Sequence, residues 1–153
     1  GSNVNATGTD GSNILFGNSG ANILDGAGGA DKLVGGRGND TLIGGAGTDT
    51  FIFGATLNAA TNVDTIVDFS IADDTIRLDK VVFMALGATG ILAASRFESN
   101  ATGHATDATD RIIYEKDTGE LYYDADGTGN VRAVLFAKLE ANLDLTHQDF
   151  LVY

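Results

Sequence analysis

Residues 8 to 52 repeat with a period of nine, as "GTDGSNILF", "GNSGANILD", "GAGGADKLV", "GGRGNDTLI" and "GGAGTDTFI", without a gap or a slip of register. Position one is glycine in every copy (Gly8, Gly17, Gly26, Gly35, Gly44), and so is position four (Gly11, Gly20, Gly29, Gly38, Gly47). Position six is Asn13, Asn22, Asp31, Asp40 and Asp49, and position eight is Leu15, Leu24, Leu33, Leu42 and Phe51. A period that strict makes each copy one structural unit that buries its apolar side against its neighbours.

Each column has a physical reason. Glycine recurs where the backbone needs a positive φ or where another backbone comes close, so two glycines per copy mark a tight turn. The last three residues of each copy, such as "TLI", form a short strand whose middle side chain points opposite to its neighbours, so position eight builds an inner column. With one turn and one strand per copy, two copies make a full coil, and copies n and n+2 stack on the same side. Strands stacked about 4.8 Å apart would set Asp31 against Asp49 with a repulsion of roughly 3 kcal/mol at an effective dielectric near 20. A cation between the turns turns that repulsion into attraction, and turn carbonyls complete an all-oxygen shell. Such a shell, with no sulfur and no imidazole, selects Ca²⁺ over zinc or copper, and a flexible loop cage suits Ca²⁺ better than Mg²⁺. The competing reading is a glycine-rich coil that folds without metal; five inward Leu and Phe side chains are a small return for ordering the whole segment.

The match to "GGxGxDxUx" resembles the RTX (repeats-in-toxin) calcium-binding β-roll. The resemblance implies a right-handed parallel β-roll with several Ca²⁺ ions between turns n and n+2. It places carbonyls at positions one and three of one turn against two and four of the next, with both position-six carboxylates. Carried onto this chain, it pairs Gly26, Gly28 and Asp31 with Gly45, Gly47 and Asp49. A second set pairs Gly17, Ser19 and Asn22 with Gly36, Gly38 and Asp40, and a third pairs Gly8, Asp10 and Asn13 with Ala27, Gly29 and Asp31. Gly35, Arg37, Gly44 and Ala46 fill positions one and three of the last two copies, and Asp64 is a further partner downstream. Asn at positions 13 and 22 departs from the pattern, removes charge and weakens those sites.

Composition narrows the function. There is no cysteine, which removes disulfides and thiolate metal sites, and no proline. A net charge of −12 argues against nucleic acid or an anionic membrane as partner. The sequence shows no apolar run of membrane-spanning length and no Sec-type leader. Gly1-Ser2 reads as a cloning scar, with the chain cut from something larger. Fifteen of the 21 glycines lie in residues 1 to 54, so the two parts are built differently.

The second part alternates apolar and polar residues. "NVDTIVDFSIADDTIRLDK" reads as two strands around an Ala72-Asp73-Asp74 turn, with the acidic pair as turn chemistry and solvated charge. "DRIIYEKDTGELYYDADGTGNVRAVLFAKL" reads as three strands, giving an antiparallel meander, and "DADGTGN" as an Asx/Gly turn. Residues 80 to 95 suggest a short helix, and Thr146 an N-cap before "HQDF". "DTFIFG", "DTIVDF" and "DRIIYEKDTGELYYDADGTG" resemble the C-terminal part of serralysin-type proteases. That likeness implies a β-sandwich-like cap closing the roll, and an ending, Asp149 to Tyr153, that belongs to an uncleaved type I export signal. On the roll the odd copies show the more apolar outer face (Ile14, Phe16, Val34, Ile52), so the cap is expected to pack there.

The expectation is therefore an all-β chain: a tag or degenerate repeat at 1–7, a right-handed parallel β-roll at 8–53 and an antiparallel, sandwich-like cap at 54–153. No HExxH, GxSxG or Walker signature occurs, and His104 and His147 stand alone, so no catalytic residue is expected. The function expected is a secreted calcium-binding module that folds on Ca²⁺ after type I export, with calcium ions and the secretion machinery as partners. It belongs to a larger secreted protein and does not insert into membranes. The alternative is a polysaccharide- or surface-binding module, for which Tyr114, Tyr122, Tyr123 and Arg132 are the suggestive cluster.

Overall fold

The computed structural model describes residues 2–153, so Gly1 of the expected scar lies outside it. The repeats give eight short strands: β1 (Asn5–Thr7), β2 (Ile14–Phe16), β3 (Ile23–Asp25), β4 (Gly28–Gly29), β5 (Lys32–Val34), β6 (Thr41–Ile43), β7 (Ala46–Gly47) and β8 (Thr50–Phe53). Eight more follow: β9 (Asp64–Ile66), β10 (Thr75–Leu78), β11 (Gly90–Ile91), β12 (Phe97–Asn100), β13 (Ile112–Glu115), β14 (Glu120–Tyr123), β15 (Val134–Lys138) and β16 (Phe150–Val152). Among the described residues there is no α-helix, and the expected helix near 80 to 95 is instead two single 3-10 turns, Met84–Leu86 and Ala94–Arg96, flanking β11.

Copies n and n+2 stack in parallel, as the period requires. β2, β5 and β8 run in register (Ile14 beside Lys32, Lys32 beside Thr50), and β1, β3 and β6 form the facing ladder. Between the two sheets Leu24, Leu33, Leu42 and Phe51 are wholly buried, while Leu15 is half-buried near the free edge of the ladder.

The sheets continue past Gly54. β9 adds to β6 and β10 adds to β8, both parallel, with Leu42 beside Ile66 and Phe51 beside Ile76. Asp64-Thr65-Ile66 and Asp74-Thr75-Ile76 thus occupy the places of further repeat copies, one in each sheet, rather than forming a hairpin. The antiparallel meander is confined to β13, β14 and β15; β15 joins β9 in parallel, and β12 lies parallel on β13 at the edge. In the other sheet β16 adds in parallel to β10, and β11 pairs antiparallel with it.

The cap therefore extends the stack from its end instead of covering the outer face of the odd copies. Ile14 and Phe16 remain 61% and 67% exposed. Backbone pairing explains this: the last coil presents a row of unmet N–H and C=O groups that another strand satisfies, whereas an outer face offers only side chains. Where the cap widens, aromatic edges fill the core: Phe83 meets Phe136 at 5.1 Å and Tyr123 at 5.2 Å between ring centres. Thr146 caps the last 3-10 turn (His147–Asp149) as expected: its backbone N–H donates to Asp149 at 2.6 Å, and Gln148 N–H donates to its hydroxyl.

Candidate metal centre

The position-six side chains form two ladders inside the stack. In the odd ladder the backbone N–H of Asn13 donates to Asp31 Oδ1 at 2.6 Å, Asp31 N–H to Asp49 Oδ1 at 2.9 Å, and Asp49 N–H to Asp74 Oδ1 at 2.8 Å. In the even ladder Asn22 N–H donates to Asp40 Oδ1 at 2.7 Å, and Asp40 N–H to Asp64 Oδ1 at 3.0 Å. Asp74, expected as a solvated turn residue, is buried and completes a ladder, while Asp73 beside it is exposed. The signal for it was the triplet Asp-Thr-apolar, which recurs at 40–42, 49–51, 64–66 and 74–76.

One oxygen of each middle carboxylate is left over. Asp31, Asp40 and Asp49 are each 1% exposed, and the Oδ2 of each is buried without a hydrogen-bond partner. Burial raises the pKa of Asp40, Asp49 and Asp74 above the ordinary carboxylate value. Burial, with the nearby charge of Asp40, pushes Asp64 up to about 7. A buried carboxylate oxygen with no donor is costly, and no Lys or Arg contributes to these four shifts.

The asparagine copies behave differently. Asn13 Oδ1 accepts the N–H of Thr9 at 2.6 Å, and Asn22 Oδ1 accepts that of Asn18 at 2.7 Å, so each closes its own loop. The exposed Asp10 and Ser19 lie on these two self-closed loops.

The turn carbonyls of one copy lie against the glycines of the copy stacked on it. Between copies three and five, the Ala27 and Gly29 oxygens lie against Gly45 and Gly47, and Ala27 also accepts Ala46 N–H at 2.9 Å. From the other side the Gly44 oxygen lies against Gly26, and that of Ala46 faces Gly28. Like positions thus meet: the carbonyls of positions two and four of the earlier turn lie against positions two and four of the later, and those of positions one and three of the later lie against positions one and three of the earlier. The same holds between copies two and four, where Asn18 and Gly20 face Gly36 and Gly38, and Gly35 faces Gly17. Asn18 and Gly20 lie outside the expected set, since which carbonyls approach the next turn is a property of the coil and leaves no mark in a single copy.

The close approach explains the glycines at position one: a Cβ on Gly26 would collide with Asp31 Oδ2 and the Gly44 oxygen. At position four the cause is conformational as well, since Gly47 holds φ at 136°.

A buried, cation-free set of carboxylate and carbonyl oxygens fits a hard divalent cation, Ca²⁺ in particular. The gap between copies three and five offers Asp31, Asp49, Ala27, Gly29, Gly44 and Ala46. The gap between copy four and β9 brings Asp40 and Asp64 together, and that between copy five and β10 brings Asp49 and Asp74 together. Asp68 closes the last one by accepting Gly44 N–H at 2.9 Å and Gly45 N–H at 2.8 Å.

The aromatic cluster expected for a glycan separates. Tyr114 and Tyr123 are core residues whose hydroxyls accept Leu143 N–H and Ala85 N–H. Tyr122 and Arg132 share the wall of an open cleft of about 640 Å³ between the roll's last loop and the cap.

Residues 7–42 match the family model of the RTX calcium-binding nonapeptide repeat, and residues 29–152 match that of the peptidase M10 serralysin C terminal. No curated protein sequence matches the chain significantly. Among solved structures, the chain is similar to the AlgE6R3 subunit of the Azotobacter vinelandii mannuronan C5-epimerase, at 26% identity and a TM-score of 0.58. The match covers 97% of this chain and 77% of that one. Both families are families of secreted proteins, and both models describe non-catalytic modules. Among the described residues no helix is long and apolar enough to cross a membrane.

Proposed function

Because the chain belongs to the peptidase M10 serralysin C-terminal family and carries RTX calcium-binding repeats, we propose that it is a module whose fold is locked by calcium once outside the cell. The observation that carries this reading is the set of three buried, partnerless oxygens, Asp31 Oδ2, Asp40 Oδ2 and Asp49 Oδ2. Bound calcium supplies the positive charge these oxygens lack. The three gaps described above are the proposed sites, with the Asn13 and Asn22 copies acting as a self-closed start to the stack.

The rest follows from what the chain does without the ion. Unneutralised carboxylates a strand spacing apart repel, and a net charge of −12 keeps the calcium-free chain open. An open chain suits passage through a type I exporter, and millimolar calcium outside then closes it. Residues Asp149 to Tyr153, an acidic residue followed by four apolar ones, are the segment we read as the export signal. In the folded chain Phe150 and Val152 are buried and β16 lies between β10 and β11, so a receptor reads that segment only while it is unfolded.

Circular dichroism in metal-free buffer and in excess Ca²⁺ tests the proposal. A gain of β-structure on calcium addition is expected; superimposable spectra would end it.

A second reading, a module that holds an acidic extracellular polysaccharide, is favoured by the likeness to a subunit of a mannuronan C5-epimerase. Retention on an acidic polysaccharide column at constant calcium tests it.

A further inference from the structure

A cleft of about 640 Å³ lies where the roll hands over to the cap. One wall is the loop after β8, with Leu57 and Asn58; another is the turn carrying Thr102 and His104; the third is Tyr122 on β14 and Arg132 just before β15. The chain carries more than twice as many acidic as basic side chains, 21 against 9, yet no carboxylate lines this cleft, while Arg132 and His104 do. Neither makes a salt bridge among the described residues. Two acids, Glu115 and Glu120, adjoin the lining residues Gly103 and Tyr122 and are engaged by other partners. Glu120 is paired with Lys138 at 2.6 Å, and Glu115 and Glu120 both face the Tyr122 hydroxyl. The remaining lining, Ala59, Ala60, Gly103, Ala133, Val134 and Leu135, carries no polar side chain.

We propose that this cleft is a binding site for a carboxylate-bearing sugar, a uronate unit of an oligosaccharide. This rests on the second reading above and gives it a place. Arginine is suited to a carboxylate because its planar guanidinium bonds both oxygens at once. The Tyr122 ring and the alanine floor suit the apolar face of a pyranose, and Asn58 and Thr102 offer hydroxyl partners. The volume lies within the range of small-ligand sites.

The cleft is tied to the proposed metal gaps by the backbone. Asn62, at the end of the Leu57–Ala60 wall, accepts Gly38 N–H at 2.9 Å, and Val63 N–H donates to Asn39 at 3.0 Å. Gly38 and Asn39 belong to the turn of copy four that leads into Asp40. An open copy-four loop leaves that wall without its anchor, so the sugar site forms only when the calcium stack does.

Isothermal titration with tetragalacturonate, and with maltotetraose as the neutral counterpart, tests this at saturating calcium. Binding of the acidic probe, a loss of tenfold or more in Arg132→Ala, a smaller loss in His104→Ala and no change in Lys32→Ala are expected. No binding of the acidic probe, equal binding of both probes, or an Arg132→Ala affinity equal to that of the parent would each overturn it. Calcium titration of Arg132→Ala by circular dichroism is expected to match the parent. Loss of sugar binding with that titration intact therefore concerns the cleft alone, and failure of calcium folding in the parent concerns the metal reading.

Discussion

The backbone N–H of Asp49 donates to Asp74 Oδ1 at 2.8 Å, repeating across the start of the cap the bond that Asp31 makes to Asp49 within the roll. Asp74 Oδ2 also accepts Ser70 N–H at 2.8 Å, so one carboxylate holds the turn and the last coil together. Replacing it strands two N–H groups, and an unsatisfied buried donor costs about 1–3 kcal/mol. Asp74→Ala is therefore expected to lower stability in calcium by at least that much and to weaken calcium binding. Asp73→Ala, next to it and exposed, is expected to stay within about 0.5 kcal/mol. Urea melts at fixed calcium check both, and equal losses would show that Asp74 is only a turn residue.

Calcium-free stability depends on pH with a definite sign. Burial raises the carboxyl of Asp64 from 3.8 to about 7, and raises Asp40, Asp49 and Asp74 in the same direction. A folded-state pKa above the unfolded one means that the fold binds protons more tightly. Its stability is then highest below about pH 4 and is lost as pH rises through about 7. In metal-free buffer, acidification from pH 8 to pH 5 is expected to increase β-structure. In saturating calcium the slope is expected to reverse, because protons displace the metal from the same oxygens. Circular dichroism across the pH range reads both slopes, and a metal-free fold that weakens on acidification contradicts this account of the buried carboxylates.

How much of this was legible in the sequence follows from which interactions are local. The inner column from Leu15 to Phe51 and the n-to-n+2 stacking follow from the period alone, since each copy repeats the same instruction. Asp64 and Asp74 carry half of that instruction, the Asp-Thr-apolar triplet without its glycines; Asp64 is named as a partner, whereas Asp74 follows Ala72-Asp73 and reads as turn chemistry. The attachment of the cap was not legible. β10 meets β16 and β9 meets β15 through backbone pairing between segments far apart in the chain, and no side-chain pattern records which strands pair. Exposed Ile14 and Phe16 pointed to the wrong face because an apolar outer position looks the same whether it is covered or bare.

Position four of the repeat separates two roles of glycine. Gly47 holds φ at 136° and its Cβ position collides with the Gly29 carbonyl, whereas Gly11 has no positive φ and nothing closer than Thr9 at 3.9 Å. Gly47→Ala is expected to destabilise the calcium-bound fold by well over about 1 kcal/mol, since strain and collision add. Gly11→Ala is expected to stay near neutral, within about 0.5 kcal/mol. Thermal melts in calcium check the pair, and equal melting temperatures would refute the facing-carbonyl geometry.

The asparagine at position 22 offers the sharpest test of whether charge at position six admits the ion. Asn22 is as buried as Asp40, but its Oδ1 is already satisfied by Asn18 N–H, and its amide donates to Asn18 Oδ1 at 3.3 Å. The facing oxygens of Asn18, Gly20 and Gly35 are in place, so only the second charge is missing. Asn22→Asp supplies it: one carboxylate oxygen takes the Asn18 N–H, and the other joins Asp40 across the gap. Without calcium the variant is expected to be less stable than the parent, because two buried carboxylates face each other with nothing between them. With calcium it is expected to bind one more ion and to regain at least the parent's stability. Isothermal titration gives the ion count, the calcium concentration at the folding midpoint by circular dichroism gives the cost without the ion, and calcium-bound melts give the stability with it. An unchanged ion count would mean that charge at position six is not what admits the metal.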